Sequence, residues 1–416
     1  MEQHETFDHL GLDAVLMRAV RALGYEAPTA IQREGIPAIL AGRDVVGTAQ
    51  TGSGKTAAFL LPILHRLHKE KPGGTRVLVL TPTRELAAQI EGALHDLGRG
   101  GHVRGKAVYG GVGMAPQEDA LRRGIGVVIA TPGRLLDHMG RRNVDFRGLQ
   151  VLVLDEADRM LDMGFLPDVR RIIDALPRNR QTLLFSATMP PEVEALARGI
   201  LRDPVRISVS PPHRPPATIR HEAFPVPQHL KTSLLVRLLG REDMMSVLVF
   251  VRTKRRADRV ARQVGQAGFS VARIHGDRSQ SQREAALGGF RDGRHQVLIA
   301  TDVAARGIDV VGITHVINYD VPMVPTDYVH RVGRTARAEA EGDAFTLVAP
   351  EEEGDFRAIE QILGRSIGRV TFPDFNYLEP APPRARGGGG PRSGPRDSGG
   401  RPRGRGGGPY RWRGRR

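Results

Sequence analysis

Short apolar runs of strand-forming residues alternate with longer helical patterns along most of this 416-residue chain. "RVLVL" (76–80), "GVVIA" (126–130), "VLVL" (151–154), "TLLF" (182–185) and "VRISV" (205–209) predict one series of strands. "VLVFV" (247–251), "VARI" (271–274), "QVLIA" (296–300), "HVINY" (315–319) and "AFTLV" (344–348) predict a second. Strands apolar at consecutive positions are buried on both faces, so the expected architecture is α/β, with parallel sheets covered by helices on each side. Between the two series lies "SPPHRPPA" (210–217), with four prolines. Proline fixes φ and lacks an N–H, so this stretch reads as a semi-rigid extended spacer. The pattern predicts a first domain over 1–208, a linker over 209–217 and a second domain over 218–375, the two facing a cleft. Beyond it, 376–416 turns to Pro, Arg and Gly repeats that cannot bury a core, so a disordered tail is expected.

Charge sharpens this division. The net charge is +15, yet 381–416 alone holds eleven arginines against the single acid Asp397, leaving about +5 for everything before it. The tail also carries Tyr410 and the only tryptophan, Trp412. Arginine with sparse aromatics suits electrostatic attraction and stacking on unpaired bases, so the tail either binds RNA, with a steep salt dependence, or only aids solubility. The chain has no cysteine, which excludes disulfides and thiolate metal sites. The acidic N-terminal stretch does not read as a signal peptide, and no apolar run approaches the roughly 20 residues of a membrane span. A cytoplasmic protein with no membrane partner is expected.

Two motifs carry chemistry. In "VLVLDEAD" (151–158) an apolar strand runs into Asp155, Glu156 and Asp158. Crowded carboxylates raise one another's pKa, so a cation must belong beside them. "AQTGSGKT" (49–56) lies between the apolar "DVVGT" and a helical pattern. Its glycines let Gln50, Thr51, Gly52, Ser53 and Gly54 wrap backbone N–H groups around phosphates at a helix N-terminus. Lys55 is expected to reach the β- and γ-phosphates of ATP, and Thr56 to hold Mg2+. Ala49 stands where the general phosphate-loop pattern has its first glycine. Lysine is scarce, six among 61 basic residues, and its compact ammonium suits this cradle. Asp155 is expected to hold the magnesium through water, and Glu156 to orient and deprotonate the attacking water. Asp158 either pairs locally or couples the two domains.

With "PTRELAAQ" (82–89), "TPGR" (131–134), "SAT" (186–188), "HGDRSQSQRE" (275–284), "ATDVAARGID" (300–309) and "HRVGRTAR" (330–337), these motifs stand in the order of the DEAD-box RNA helicases, which the chain resembles from Phe7 to about Phe375. The short N-terminus, the "TARAEAEGDAFTLVAPEEE" segment and the basic tail look like the bacterial RhlE branch. The resemblance implies two RecA-like domains in tandem and an RNA-stimulated ATPase that closes on one strand and opens short duplexes locally. "GYEAPTAIQ" (24–32) matches the adenine-reading motif: Gln32 to read the base, Tyr25 and Thr29 beside it, and Phe7 to stack on it. Arg334 and Arg337 match the arginine fingers, Asp309 the ribose contact and Gly307 the γ-phosphate contact. His330 and Asp302 look like relay residues towards Ser186 and Thr188. Ala336 replaces a glycine common in the family.

RNA contacts implied by the resemblance are Pro82, Thr83, Arg84, Gly110, Gly111, Thr131, Gly133 and Arg134 in the first domain. Arg252, Thr253, Gly276 and Thr301 match in the second. Exposed backbone, hydroxyls and guanidiniums address phosphates without reading bases, and 2′-hydroxyl contacts favour RNA over DNA. Ribosomal and RNA-decay assemblies both suit such contacts. The competing readings are an RNA-binding clamp or chaperone in which the tail dominates and unwinding is incidental, and a translocating DNA helicase or a non-hydrolysing relic.

Overall fold

The computed structural model describes residues 6–49, 52–209, 219–305, 310, 312–335 and 342–380. In the first half, β1 (Val45–Thr48), β2 (Val77–Leu80), β3 (Gly105–Val108), β4 (Val127–Ala130), β5 (Val151–Leu154), β6 (Gln181–Ser186) and β7 (Val205–Ser208) form one parallel sheet. Its order is β3-β4-β2-β5-β6-β1-β7. In the second half, β8 (Ile219–Pro225), β9 (Val247–Phe250), β10 (Val271–Ile274), β11 (Val297–Ala300), β12 (His315–Asn318), β13 (Gly342–Val348) and β14 (Gly368–Arg369) form another. Its order, β10-β11-β9-β12-β13-β8-β14, repeats the first with every label raised by seven.

The consecutive apolar runs have the reason the pattern suggested. Val77 and Val79 of β2 enter the core on one face of the first sheet, with Val151 and Val153. Leu78 and Leu80 enter the core on the other face, with Leu152 and Leu154. The register that pairs Val77 with Val151 and Leu78 with Leu152 keeps the two sets apart. Helices cover both faces, so neither set of side chains alternates with polar ones.

All ten predicted runs are strands. Four further strands lie outside those runs: β1 falls in the apolar "DVVGT" before the phosphate loop, and three others escaped the pattern. β3 (Gly105–Val108) is an edge strand whose first two residues are only half-buried. β8 (Ile219–Pro225) carries Arg220, His221 and Glu222 in its middle, and β14 has two exposed residues. His221 is accommodated because its ring stacks on Tyr328, with 2.8 Å between Nδ1 and the hydroxyl. Residues 210–217 of the expected linker and 381–416 of the expected tail lie outside the described residues. Val209 continues β7 by donating to Thr48 O at 3.1 Å. Among the described residues no helix is long and apolar enough to cross a membrane.

The halves meet at the carboxyl ends of their strands. There Arg283, from the helix Gln280–Arg291, lies 2.8 Å from Glu85 in the helix Arg84–Leu97, both side chains buried. Burial raises the Glu85 carboxyl above its ordinary pKa against the pull of Arg283. Removing one partner of such a buried pair leaves an uncompensated charge.

Candidate nucleotide and RNA site

The loop after β1 leads into the helix Lys55–His68, with Gly54 at its N-cap in the left-handed region, φ 90°. Gly52 has φ 87°. Gln50 and Thr51 lie outside the described residues; Ser53 is half-buried. Ala49, the departure from the glycine pattern, is 1% exposed, its methyl packed in the core, and its N–H donates to Ser186 O at 3.0 Å. A strand end needs no glycine, so alanine fits there. Lys55 is buried and donates to Ala49 O at 2.6 Å, which holds its ammonium within the loop.

Three carboxylates follow β5, all nearly inaccessible. Asp155 donates its N–H to Leu80 O (2.9 Å) and accepts from Glu156 N through Oδ1 (3.0 Å). Burial, with Glu156 adding to it, pushes Asp155 up to about 7 against the attraction of Lys55. Glu156 adopts φ 56° and caps the helix Ala157–Asp162. Left-handed backbone at a non-glycine residue costs on the order of 1 kcal/mol, and it turns this side chain away from the strand. Arg159 donates to Glu156 Oε2 at 2.6 Å. Burial opposes ionisation of Glu156, but Arg159, Arg334 and Lys55 outweigh it and hold the carboxyl below its usual range.

Asp158 holds the next segment. Its Oδ2 accepts from Thr188 N (2.8 Å) and Thr188 Oγ1 (2.9 Å), its N–H donates to Ser186 Oγ (3.1 Å), and Ser186 Oγ donates to Thr188 O (2.7 Å). Burial works against its charge, yet the facing His330, the Thr188 hydrogen bonds and Lys55 keep it low. Burial and Arg159 push His330 down to about 4. Asp158, Ser186, Thr188 and His330 are thus brought together. Asp302 is held elsewhere, by Arg331 at 2.6 and 2.8 Å, and shares only a small recess with His330.

A cavity of about 640 Å³ joins these groups. Gly52, Gly54, Lys55 and Thr56 form one wall, Asp155 and Glu156 another, and Arg334 of the second half closes it. Arg334 is 3% exposed, and its Nε donates to His330 O at 3.3 Å. Tyr25, Thr29 and Gln32 line the far end. Gln32 is 4% exposed; its Oε1 accepts from Thr29 N (3.0 Å) and its Nε2 donates to Gly54 O (3.1 Å). A carboxamide keeps one further donor and one further acceptor beyond these. Phe7 is 2% exposed and packs on Tyr25, ring centroids 6.1 Å apart, so Tyr25 is the aromatic that faces the cavity. Gly307, Asp309, Ala336 and Arg337 lie outside the described residues.

The residues matched to RNA follow β2, β3 and β4 in one sheet and β9, β10 and β11 in the other, the three strands at the same edge of each. Gly110, Gly111, Arg84 and Arg134 converge: a Cβ on Gly111 would fall 1.9 Å from Arg84 Nη1, and one on Gly110 3.9 Å from Arg134 Nη2. Arg134 also donates to Val112 O at 3.2 Å. Gly133, Arg252, Thr253 and Gly276 are exposed, and Thr301 is half-buried. Asp320 accepts the backbone N–H of Arg252 at 2.7 Å, and the Arg252 guanidinium donates to Val321 O at 3.0 Å. Pro82, Thr83 and Thr131 are buried, and the Thr83 hydroxyl caps its own helix by accepting from Leu86 N. Their neighbours Arg84 and Arg134 are the more accessible groups.

Residues 29–196 match the DEAD/DEAH box helicase family and residues 230–339 the helicase conserved C-terminal domain. This chain is a DEAD-box ATP-dependent RNA helicase. It is similar to the DEAD-box ATP-dependent RNA helicase CshA of Bacillus subtilis, 41% identical over 89% of this chain and 75% of the relative. That relative carries the CshA name, so the RhlE branch suggested by the tail is not confirmed. Among solved structures it is similar to S. cerevisiae Dbp5 bound to RNA and ADP BeF3, with TM-score 0.81 and 30% identity, covering 88% of this chain and 95% of that one. A Dbp5 variant bound to Nup159, Gle1, IP6 and ADP covers the same 88% of this chain and 96% of its own, at 28% identity, but aligns with a TM-score of 0.62.

In this helicase, sequence reasoning passed over Arg159, Arg331 and the pair Glu85–Arg283. Arg159 stands three positions after Glu156 on one helix, the spacing at which side chains meet, and that was a readable signal. Gly54 yields a direct prediction. At φ +90° a Cβ there would lie 2.4 Å from Gln32 Nε2 and 2.9 Å from Thr29 Oγ1. Gly54→Ala is expected to weaken ATP binding by ~10-fold or more, since left-handed strain and displacement of Gln32 act together at a cost of order 1–3 kcal/mol. Titration with a fluorescent ATP analogue checks this; unchanged affinity with an intact fold would mean the loop relaxes freely.

Proposed function

We propose that the cavity binds ATP with Mg2+ and hydrolyses it when the two halves close on one RNA strand. The observation that carries this reading is that Arg334 of the second half lines one cavity with Lys55, Asp155 and Glu156 of the first. The cavity is therefore complete only while the halves meet. The better alignment with the Dbp5 structure holding RNA and ADP BeF3 supports the same arrangement.

The geometry supports a role for each group. The backbone of the loop and Lys55 receive the phosphates, and the spare donor and acceptor of Gln32 suit the adenine edge. Tyr25 offers a face to the base. Thr56 and Asp155 supply hard oxygen ligands in one cavity, and a buried carboxylate with a raised pKa gains from a divalent cation. Bound there, Mg2+ would neutralise charge on the β- and γ-phosphates. Arg159 takes Glu156 Oε2, while Oε1 has no hydrogen bond among the described residues, leaving it to orient the water. Arg334 stabilises charge on the transferring phosphoryl group, and the family resemblance assigns Arg337, Gly307 and Asp309 to the same site. Asp158, Ser186, Thr188 and His330 couple it to closure, and Asp302 adjoins them only through the recess it shares with His330.

The six strand ends at matching sheet edges form one phosphate-facing track of low sequence preference. Bending a gripped strand opens short duplexes locally and non-processively, and the same grip remodels RNA–protein complexes in cytoplasmic ribosomal or RNA-decay assemblies. The test is steady-state ATP hydrolysis with single-stranded RNA beside DNA of matched sequence. Strong stimulation by RNA alone is expected. Equal stimulation by DNA would overturn the RNA selectivity, and no hydrolysis with either would overturn the catalytic roles.

A further inference from the structure

Arg159 belongs to the first half by sequence, yet it fills a recess whose other lining residues, Phe250, Asp302, Asp327, His330, Arg331 and Arg334 among them, come from the second. Its guanidinium is 2.6 Å from Glu156, and the two side chains are 4% and 6% exposed. Burial opposes its charge, and Glu156, Asp158 and Asp327 more than offset that burial. Two of these carboxylates lie on its own helix or at its cap. Asp327 sits across the joint, on the helix Pro325–Val332.

We propose that Arg159 is a positioning residue that makes the orientation of Glu156 depend on the seating of the second half. The inference rests on the reading of Glu156 as the water-activating group. A guanidinium is planar and presents five donors in a fixed fork, so it can hold Glu156 Oε2 with one edge while the Asp327 field acts on another. When the second half is seated, water is excluded from the recess and the ion pair has one geometry. When it leaves, Asp327 and the recess walls leave with it and Arg159 becomes solvated. Charge-assisted bonds weaken in water, and Glu156, on a left-handed backbone at a helix cap, then loses its fixed direction. The arrangement ties hydrolysis to closure without any contact between Arg159 and the nucleotide. Arg159 is absent from the lining of the nucleotide cavity, whereas Glu156 and Arg334 are present.

The test uses the full chain with saturating single-stranded RNA, comparing Arg159→Met, Arg159→Lys, Asp327→Asn and Glu156→Gln for kcat, KM for ATP and RNA affinity. Arg159→Met is expected to lower kcat by about 30-fold or more, a part of what a positioned base supplies, with KM for ATP and RNA affinity within about threefold. Arg159→Lys should recover part of the loss, because it restores charge but not the fork. Asp327→Asn, which leaves the first half untouched, should lower RNA-stimulated kcat several-fold with KM for ATP unchanged. A kcat for Arg159→Met within about twofold of the parent would overturn the proposal while Glu156→Gln remained inactive. If Arg159→Met fails to fold, an unchanged RNA-stimulated kcat in Asp327→Asn overturns it instead. Normal turnover by Glu156→Gln would overturn the reading of Glu156 itself, and the proposal with it.

Discussion

Glu156→Gln is expected to lower ATP turnover by about 10²- to 10⁴-fold, the usual range for a positioned general base, and to leave a long-lived complex with ATP and RNA. The amide keeps the size of the carboxylate but cannot take a proton from water. Binding should survive, because the phosphate loop, Lys55 and Gln32 are untouched. The change also removes the like charge that helps push Asp155 up to about 7, so a divalent cation meets a carboxylate that ionises more readily. Single-turnover hydrolysis together with the dissociation rate of labelled RNA separates the two effects. Normal hydrolysis would show that another group activates the water.

Arg334→Ala is the second large effect, with hydrolysis falling by about 10³-fold or more, as for arginine fingers elsewhere. Arg334 is the second-half cation in a cavity otherwise built from the first half. Its removal should therefore leave ATP affinity within a few-fold. The measurement pairs kcat with equilibrium binding of a fluorescent ATP analogue. Loss of binding in step with loss of turnover would make Arg334 a ground-state contact.

Much of this site was legible because its chemistry is local. Lys55, Thr56, Asp155 and Glu156 sit at strand ends whose apolar runs announce themselves, and the structure brings them to one cavity. Among the strands that escaped notice, β3 and β8 carry Lys106 and His221, where an edge position or a neighbouring ring excuses polarity that the pattern counts against a strand. The pair Glu85–Arg283 was invisible for a different reason. Each residue lies inside a recognisable motif, but complementarity between two distant helices exists only in the folded chain. Phe7 shows the limit of carrying roles across by motif, since packing buries it and leaves Tyr25 to face the cavity.

The identical strand order of the two sheets makes them two copies of one plan. β8 holds the place of β1, but it is followed by Val226, Pro227 and Gln228 where β1 leads to the glycine loop. Proline has no N–H to offer a phosphate, so no cradle can form there. β12 holds the place of β5, and the acid that follows it, Asp320, holds the Arg252 backbone N–H and pairs with Arg256. The second copy thus lends Arg334 to the cavity of the first, while its own β8 leads to a proline instead of a glycine loop.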